Sequence, residues 1–341
     1  GVPHITGTTR YGTEFGAGYA AAQDRLWLMD LFRHVGRGQL TPFAGGAPAN
    51  QGLEQQFWRS APYTEADLEA QILSAAAKAG ERGEQALADV DAYVAGVNAY
   101  IDASDKGRYF PGEYVLTGHK DAITNAGTID HFKRTDLIAL ASVIGSLFGA
   151  GGGGEVNNAL SLLAAQEKYG VAEGTRVWES FRQRNDPEAV LTQQNGSFPY
   201  LPRPDTPQGR ALPDAGSVEA EPLVYDRTGS AATAGATGAS ATAADTAVTS
   251  ARRGMSNALV VSGKHTASGN PVAVFGPQTG YFAPQLLMLQ ELQGPGLSAR
   301  GASFAGLSMY VELGRGQDYA WSATTSGQDI IDTYAVELCQ D

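Results

Sequence analysis

Gly254-Met255-Ser256-Asn257 stands at the sharpest change of composition in the chain, and Ala258-Leu259-Val260-Val261 follows it directly. Ala, Thr, Gly, Ser and Asp dominate the residues before it, whereas strand-forming side chains follow it. A second such run, 271–275 (PVAVF), comes after a few turn residues, and this pattern predicts a β-hairpin. A serine at the start of a strand, directly behind a linker-like segment, is where cleavage of the chain would expose a nucleophile. An ordinary Ser-Asn turn leading into a strand has the same local sequence, so the tetrapeptide alone leaves both interpretations open.

The segment in front of this serine has the composition of a linker. Residues 230–249 contain almost nothing that could build a hydrophobic core. Inside a compact protein such a long stretch is unusual unless it connects two regions or is removed. The sequence therefore predicts three parts, which are a mainly helical region over 1–202, a spacer over 203–255 and a strand-rich region over 256–341.

Composition and charge exclude several classes of function. The chain has 341 residues, a formal net charge of -12 and a pI of about 4.9. This acidity argues against nucleic-acid binding, which requires a basic surface. Cys339 is the single cysteine, so no disulfide within the chain is expected. An uncharged and largely apolar run, 137–154, is too rich in serine and glycine for a membrane span, and it predicts a buried helix that runs into a loop.

Apolar side chains at helical spacing predict that most of the first region is α-helical. Gly36 is expected to end the first helix, and Thr64 with Asp67 forms the pattern of a capping box. Asp30 and Arg33 are interpreted as part of a solvated face or as a pair within the helix. The predicted helices cover 15–35, 64–78, 84–101, 137–148 and 156–169.

The third region is expected to consist mainly of strands and turns. One apolar stretch in it, 284–292, has a helix-like pattern, and 332–338 alternates like a strand.

Six segments then fall into an order that resembles the penicillin acylase (penicillin amidase) family of N-terminal-nucleophile hydrolases. Each segment alone is a weak signal, but together they span nearly the whole chain. They are residues 1–5 (GVPHI), 15–30 (FGAGYAAAQDRLWLMD), 95–101 (AGVNAYI), 256–257 (SN), 276–284 (GPQTGYFAP) and 320–332 (AWSATTSGQDIID).

The resemblance implies an α+β fold, the four-layer αββα sandwich of that superfamily. Region 1–202 would be an α-chain, 203–255 an excised spacer, and 256–341 the beginning of a β-chain that continues past Asp341. Autocatalytic cleavage between Met255 and Ser256 would then give an α/β heterodimer. Family members act in the periplasm or in the medium, with no membrane insertion and no nucleic-acid partner.

The resemblance also assigns catalytic roles. A serine hydroxyl is a weak nucleophile that needs a base. The family uses the freed α-amino group of the serine itself, whose pKa of about 8 suits this task. Ser256 would therefore be both nucleophile and base. Thr325 would donate its backbone N–H to the oxyanion, and Gln278 would position the substrate amide and the serine amine. A second oxyanion donor, an asparagine side chain, is expected beyond Asp341. Five histidines then need no catalytic role, and they are His4, His34, His119, His131 and His265.

A structural calcium ion is the expected cofactor, and no organic cofactor is implied. The family positions that bind it correspond to Glu155, Asp329, Asp332 and the backbone carbonyl of Ile331, and calcium prefers such hard oxygen ligands. Without the resemblance, the Asp-x-x-Asp spacing would fit a solvated turn equally well.

Four residues are predicted to line the acyl pocket, and they are Phe148, Thr279, Met309 and Ala323. Because smaller or softer side chains replace aromatic or polar ones there, the pocket predicts an acyl group other than benzyl, and methionine adapts to such a group.

The leading hypothesis is a self-processing amidohydrolase that cleaves the amide C–N bond of a small N-acyl substrate, such as the side chain of penicillin. The alternatives are an acyl-homoserine-lactone or lipopeptide acylase of the same family, or a degenerate module without catalysis. A conventional serine hydrolase is disfavoured, because no Gly-x-Ser-x-Gly motif surrounds Ser256.

Overall fold

The structure is a computed structural model that describes residues 1–105, 110–116, 129–148, 151–152, 154–180, 256–277, 285–324 and 329–331. The chain forms two compact units. The first comprises Gly1–Gly149 with Ser240–Ser326, and the second comprises Ala150–Ala239 with Gly327–Asp341. The predicted spacer and the predicted strand over 332–338 lie outside the described residues.

Helices dominate the N-terminal part of the first unit, as the sequence predicts. They are α1 (Arg10–Gly36), α2 (Leu40–Ala44), α3 (Pro48–Ser60), α4 (Glu65–Ala79), α5 (Glu81–Asp105), α6 (Gly112–Leu116) and α7 (Arg134–Phe148). The first of these ends at Gly36, as expected, but it begins five residues earlier than predicted, where the Thr9 hydroxyl accepts from the backbone N–H of Gly12. The capping box of α4 is confirmed, because Thr64 and Asp67 exchange side-chain-to-backbone hydrogen bonds.

Among the described residues, the first unit also contains a five-stranded sheet. Its strands are β1 (His4–Thr6), β5 (Leu287–Gly294), β6 (Leu297–Phe304), β7 (Leu313–Arg315) and β8 (Ala320–Trp321), in the order β1-β5-β6-β7-β8. The first strand pairs in parallel with β5, with His4 opposite Glu291, and the other pairs are antiparallel. The N-terminus of the chain is thus built into a sheet whose other strands come from the C-terminal region.

The predicted hairpin is confirmed as a separate two-stranded sheet. Its strands are β3 (Asn257–Val261) and β4 (Val272–Gly276), paired antiparallel with Asn257 opposite Gly276. The helix-like interpretation of 284–292 is wrong, because most of this stretch belongs to strand β5. Met288, Gln290 and Leu292 are buried on one face of that strand, whereas Leu289 between them is 58% exposed, so the burial follows a period of two.

Two glycines of the family-like segments set the distance between helices α1 and α5. A Cβ atom on Gly18 would lie 1.9 Å from the backbone oxygen of Tyr93, and one on Gly96 would lie 2.0 Å from that of Phe15. The two helices therefore touch backbone to backbone. This contact lies within the main hydrophobic core, to which α1, α5, α7 and β5 all contribute buried side chains.

The charged pair predicted within the first helix exists, but it is buried rather than solvated. Arg33 donates to Asp30 at 2.7 Å, and both side chains are about 5% exposed or less. The Tyr114 hydroxyl donates to the second oxygen of Asp30 at 2.5 Å, and the guanidinium of Arg33 lies 4.0 Å from the ring centre of Phe132. The pair is thus held by further bonds, as a buried ion pair requires.

The described residues of the second unit form β2 (Gly151–Gly152), α8 (Glu155–Tyr169), α9 (Val171–Ser180) and β9 (Asp329–Ile331). Its two helices pack closely, because Gly174 would place a Cβ atom 2.3 Å from the backbone oxygen of Ala165. Gly170, the residue between the helices, has a φ of 82°, which favours glycine.

The two units together give an α+β fold with helices early and mainly antiparallel strands late in the chain. The four-layer arrangement of the resembled superfamily stays a prediction. Within the described ranges, no helix is long and apolar enough to cross a membrane.

Candidate active site

Ser256 lies directly in front of strand β3 and is partly buried. Because Asn257 pairs with Gly276, continuing the antiparallel register sets Pro277 opposite Ser256. Gln278 and Thr279 follow Pro277 in the chain, although both lie outside the described residues. The hairpin therefore brings the predicted nucleophile next to the segment from which Gln278 was expected to act. Met255, on the other side of the predicted cleavage, is also outside the described residues.

His265 lies at the opposite end of this hairpin. It ends a short 3₁₀ helix, Gly263–His265, that follows β3, and it is exposed. Five strand residues separate Ser256 from that end, which corresponds to about 16 Å along the strand. Within the described part of the chain, this geometry gives His265 no role as the base for Ser256.

Two of the remaining predicted residues, Met309 and Ala323, differ in how deeply they are buried. Met309 is 8% exposed and belongs to the main hydrophobic core. Ala323 is exposed, two residues after β8, and Thr325 follows it outside the described residues. Phe148 is the last residue of α7, and its side chain is likewise not described. The described residues therefore do not test the predicted acyl pocket, which stays a prediction.

Three of the predicted calcium ligands, Glu155, Asp329 and Ile331, lie on described elements of the second unit. Strands β2 and β9 pair in parallel, with Gly151 opposite Asp329 and Gly152 opposite Ile331. Glu155, three residues after Gly152, is the first residue of α8, where a carboxylate is stabilised by the helix dipole. Because Gly152 pairs with Ile331, the start of α8 at Glu155 follows three residues after the strand that pairs with Asp329–Ile331.

This arrangement is compatible with a metal site that uses carboxylate and carbonyl oxygens. Asp332 lies outside the described residues, and the side chains of Asp329 and Ile331 are not described. Among the side chains that the structure does describe, no group of three or more His, Cys, Asp or Glu could hold a metal ion. The calcium site stays a prediction.

A polar cluster around the buried Asp89, which the sequence did not predict, connects α1, α5 and the segment after β6. Arg10 donates to both oxygens of Asp89, with Nε–Oδ1 at 2.8 Å and Nη2–Oδ2 at 2.6 Å, and the Tyr310 hydroxyl donates to Oδ2 at 2.6 Å. Burial alone would raise the pKa of Asp89, but these bonds outweigh it and hold the pKa below its usual value.

Glu14 lies beside this cluster and is fully buried. Burial, and next the negative charge of Asp89, raise the pKa of Glu14 to about 8, against a smaller opposing effect of Arg10. The signal that could have found it is periodicity, because Glu14 precedes the buried Ala17 and Ala21 by three and seven residues on one helical face.

Comparisons with known proteins show the family of this chain. The profile of the family described as Penicillin amidase matches residues 1–341. A similar protein is the Penicillin G acylase of Escherichia coli, with 23% identity over 359 aligned residues, which cover 99% of this chain and 39% of the relative. The chain thus spans about two fifths of the length of this curated relative.

A solved structure is also similar. It is a thermostable Penicillin G acylase from Alcaligenes faecalis, with 22% identity and a TM-score of 0.42, and the match covers 55% of this chain and 90% of that one. The family profile spans every residue of the chain, from the strand at the N-terminus through Ser256 to Asp341. The chain therefore belongs to the penicillin amidase family.

Proposed function

We propose that the protein is a self-processing amidohydrolase that hydrolyses an N-acyl amide bond, such as the side chain of a penicillin, through an acyl-enzyme on Ser256. The observation that carries this proposal is the position of Ser256, directly before β3 and opposite the Pro277 end of β4. Membership of the penicillin amidase family, and a relative named Penicillin G acylase, support the reaction class.

The first step in the proposal is cleavage of the chain itself. The Ser256 hydroxyl attacks the carbonyl carbon of Met255, the bond from that carbon to the Ser256 nitrogen breaks, and the nitrogen takes up the hydroxyl proton. Water then hydrolyses the resulting ester, which leaves a carboxylate on Met255 and a free α-amine on Ser256. The spacer over 203–255 is then still joined to residue 202, and its removal requires hydrolysis of a second peptide bond there.

The second step is acyl transfer to the same serine. The α-amine, with a pKa of about 8, accepts the hydroxyl proton as Ser256 attacks the substrate carbonyl. The backbone N–H of Thr325 would stabilise the oxyanion, and Gln278 would orient the amine and the substrate amide. The proton passes to the leaving amine, and water attacks the ester to release the acid and restore the serine.

After cleavage the two parts would remain together as an α/β heterodimer. Strand β1, from the N-terminal region, pairs with β5, from the C-terminal region. The Tyr93 hydroxyl lies 2.9 Å from that of Ser308, and the two regions share the main hydrophobic core. These contacts do not depend on a continuous chain between residues 148 and 256, so they support an intact heterodimer.

A structural calcium ion belongs to the proposal. Glu155, Asp329 and Asp332 would bind it with carboxylate oxygens and Ile331 with its backbone carbonyl. Such an ion would join the start of α8 to strand β9, two elements that are far apart in the chain.

The substrate would be an N-acyl amide with a group other than benzyl, held by Phe148, Thr279, Met309 and Ala323. Comparison of hydrolysis rates for phenylacetyl, medium-chain and glutaryl amides checks this specificity, and a clear phenylacetyl preference would contradict it. Following the family, we assign the protein to the periplasm or the medium.

The decisive test is the intact mass and the N-terminal sequence of the purified protein. We expect a new N-terminus at Ser256 in the wild type and in Ser262→Ala, a matched control in the same hairpin. Ser256→Ala should remain a single chain without amidase activity. A wild-type chain that stays uncut, or a Ser256→Ala chain that is cut at the same place, would refute the proposal.

A further inference from the structure

The connection between strands β6 and β7, called here the β6–β7 loop, is largely buried. It covers residues 305–312, and Ala305, Ser308, Met309 and Val311 in it are all 8% exposed or less. Loops normally run over the protein surface, because their backbone polar groups need water or other partners. The β6–β7 loop obtains such partners from other elements of the first unit.

Two side chains of helix α5 hold the residues on either side of Met309. The Tyr93 hydroxyl lies 2.9 Å from the Ser308 hydroxyl, and Asp89 accepts a hydrogen bond from the Tyr310 hydroxyl at 2.6 Å. Asp89 and Tyr93 are four residues apart, so they lie one turn apart on the same face of α5. One face of this helix therefore fixes the β6–β7 loop both before and after Met309.

Two neighbouring strands hold the same residues by their backbone. Gln290 of β5 donates through Nε2 to the backbone oxygen of Ser308 at 2.6 Å. The Ser303 hydroxyl of β6 donates to the backbone oxygen of Tyr310 at 2.7 Å. Each neighbour of Met309 is thus fixed by its side chain and by its backbone, and together they set the direction in which the Met309 side chain leaves the loop.

Tyr93 is fully buried, and its hydroxyl group makes two contacts with the loop. It accepts from the backbone N–H of Gly306 at 3.2 Å, which leaves its own proton available for the Ser308 hydroxyl. Burial raises the pKa of Tyr93 to about 12, so the hydroxyl keeps this proton at neutral pH. A phenylalanine would fill the same space, but it would leave the Gly306 N–H and the Ser308 hydroxyl without this partner.

The loop is also bonded to the segment that leads to the predicted oxyanion donor. The Nε1–H of Trp321 donates to the backbone oxygen of Val311 at 3.2 Å. Val311 comes two residues after Met309, and Ala323 comes two residues after Trp321. Two of the residues predicted to line the acyl pocket, Met309 and Ala323, therefore lie on segments that are bonded to each other.

We propose that Tyr93 is a positioning residue for acyl specificity, whose hydroxyl fixes the β6–β7 loop and thereby the place of Met309 in the acyl pocket. The inference rests on the proposed function, in which Met309 contacts the acyl group. Tyr93 belongs to the main hydrophobic core and acts through the loop rather than by touching the substrate. Since α5 precedes Ser256 and the loop follows it, the α-chain would set the position of a pocket wall that the β-chain carries.

NMR of methionine methyl groups tests the positioning without any substrate. In protein with isotope-labelled methionine methyls, the Met309 signal is assigned by its loss in Met309→Leu. We expect Tyr93→Phe to shift or broaden this signal. Ser104→Ala is the matched control, because it removes a buried hydroxyl of α5 that donates to Ile101 within the same helix, and it should leave the Met309 signal in place. An unchanged Met309 signal in Tyr93→Phe would overturn the proposal.

Kinetics distinguishes positioning from a general loss of stability. With phenylacetyl, medium-chain and glutaryl amides, Tyr93→Phe should raise KM for the amide that the wild type prefers by about 10-fold and change kcat by less than about twofold. The preference for that amide should decrease by a similar factor, while cleavage at Ser256 is retained. An equal loss of kcat/KM on all the amides, or an unchanged preference, would contradict the positioning role.

Ser308→Ala keeps the test decisive should Tyr93→Phe fail to fold. It removes the same contact from the loop side, so it should change the Met309 signal and the acyl preference in the same way, and no effect on either would overturn the proposal. A wild type that hydrolyses none of the amides would overturn the proposed function and the specificity role with it. An active wild type whose Met309 signal and preference survive the loss of the Tyr93 hydroxyl would overturn the positioning role alone.

Discussion

Substituting alanine for Gly18 tests the close contact between helices α1 and α5. The new Cβ atom would lie 1.9 Å from the backbone oxygen of Tyr93, whereas non-bonded carbon atoms settle at roughly 3.5 Å. The helices would have to separate by more than about 1 Å, because backbone cannot rotate away as a side chain can. Overpacking of this kind costs about 3 kcal/mol, the upper end of the usual range. The better helix propensity of alanine offsets about 1 kcal/mol of this cost, so we expect the free energy of unfolding to fall by about 2 kcal/mol.

Gly145→Ala is the matched control. Gly145 also lies within a helix, α7, but it is exposed, and a Cβ atom there would meet nothing within 4 Å. Only the propensity gain of about 0.5–1 kcal/mol should remain, so this variant should be more stable than the wild type. Equilibrium urea unfolding followed by circular dichroism measures both changes. A Gly18→Ala protein as stable as Gly145→Ala would refute the argument that the two helices meet backbone to backbone.

Two further predictions concern the cluster around Asp89 and the metal. Asp89→Asn should lower the free energy of unfolding by about 2 kcal/mol. This loss is smaller than for a fully buried ion pair, because the Arg10 side chain is 26% exposed. The control Asp24→Asn, at an exposed position, should change the free energy of unfolding by less than about 0.5 kcal/mol, and equal urea midpoints for the two variants would contradict the prediction. Removal of calcium with a chelator should lower the melting temperature of the wild type and have little effect on Glu155→Gln, and a wild type whose melting temperature does not change would refute the calcium site.

The sequence predicted well those elements whose signal is local. The end of α1 at Gly36, the capping box at Thr64 and the hairpin after Ser256 each depend on a few neighbouring residues, and the structure has them. The prediction of a helix-like segment over 284–292 is wrong, because a short run of apolar residues fits a helix and a buried strand equally well. Pairing with β1 and β6 makes this segment a strand, and the local sequence pattern contains no information about these distant partners.

The polar groups around Asp89 could not be predicted for a related reason. Arg10, Glu14 and Asp89 read as ordinary helical surface charges, and nothing near them in sequence indicates that Tyr310 completes the cluster from more than 200 residues away. For the candidate site, the sequence pattern identified Ser256 as the start of a strand, and the register then showed which segment lies opposite it. The roles of Thr325 and Gln278 came from family resemblance alone and stay predictions.

The parallel pairing of β1 with β5 has a consequence for the time course of folding. His4 and Glu291, which face each other across this pair, are separated by 287 positions in the chain. At about 5–20 residues per second, a ribosome needs roughly 15–60 s to make the partner strand after the first one has been synthesised. During this interval the early helices lack the strand that covers part of their apolar surface, and closing so long a loop is slow. Strand β1 is thus synthesised long before β5, and it can reach its native pairing only after β5 has been made.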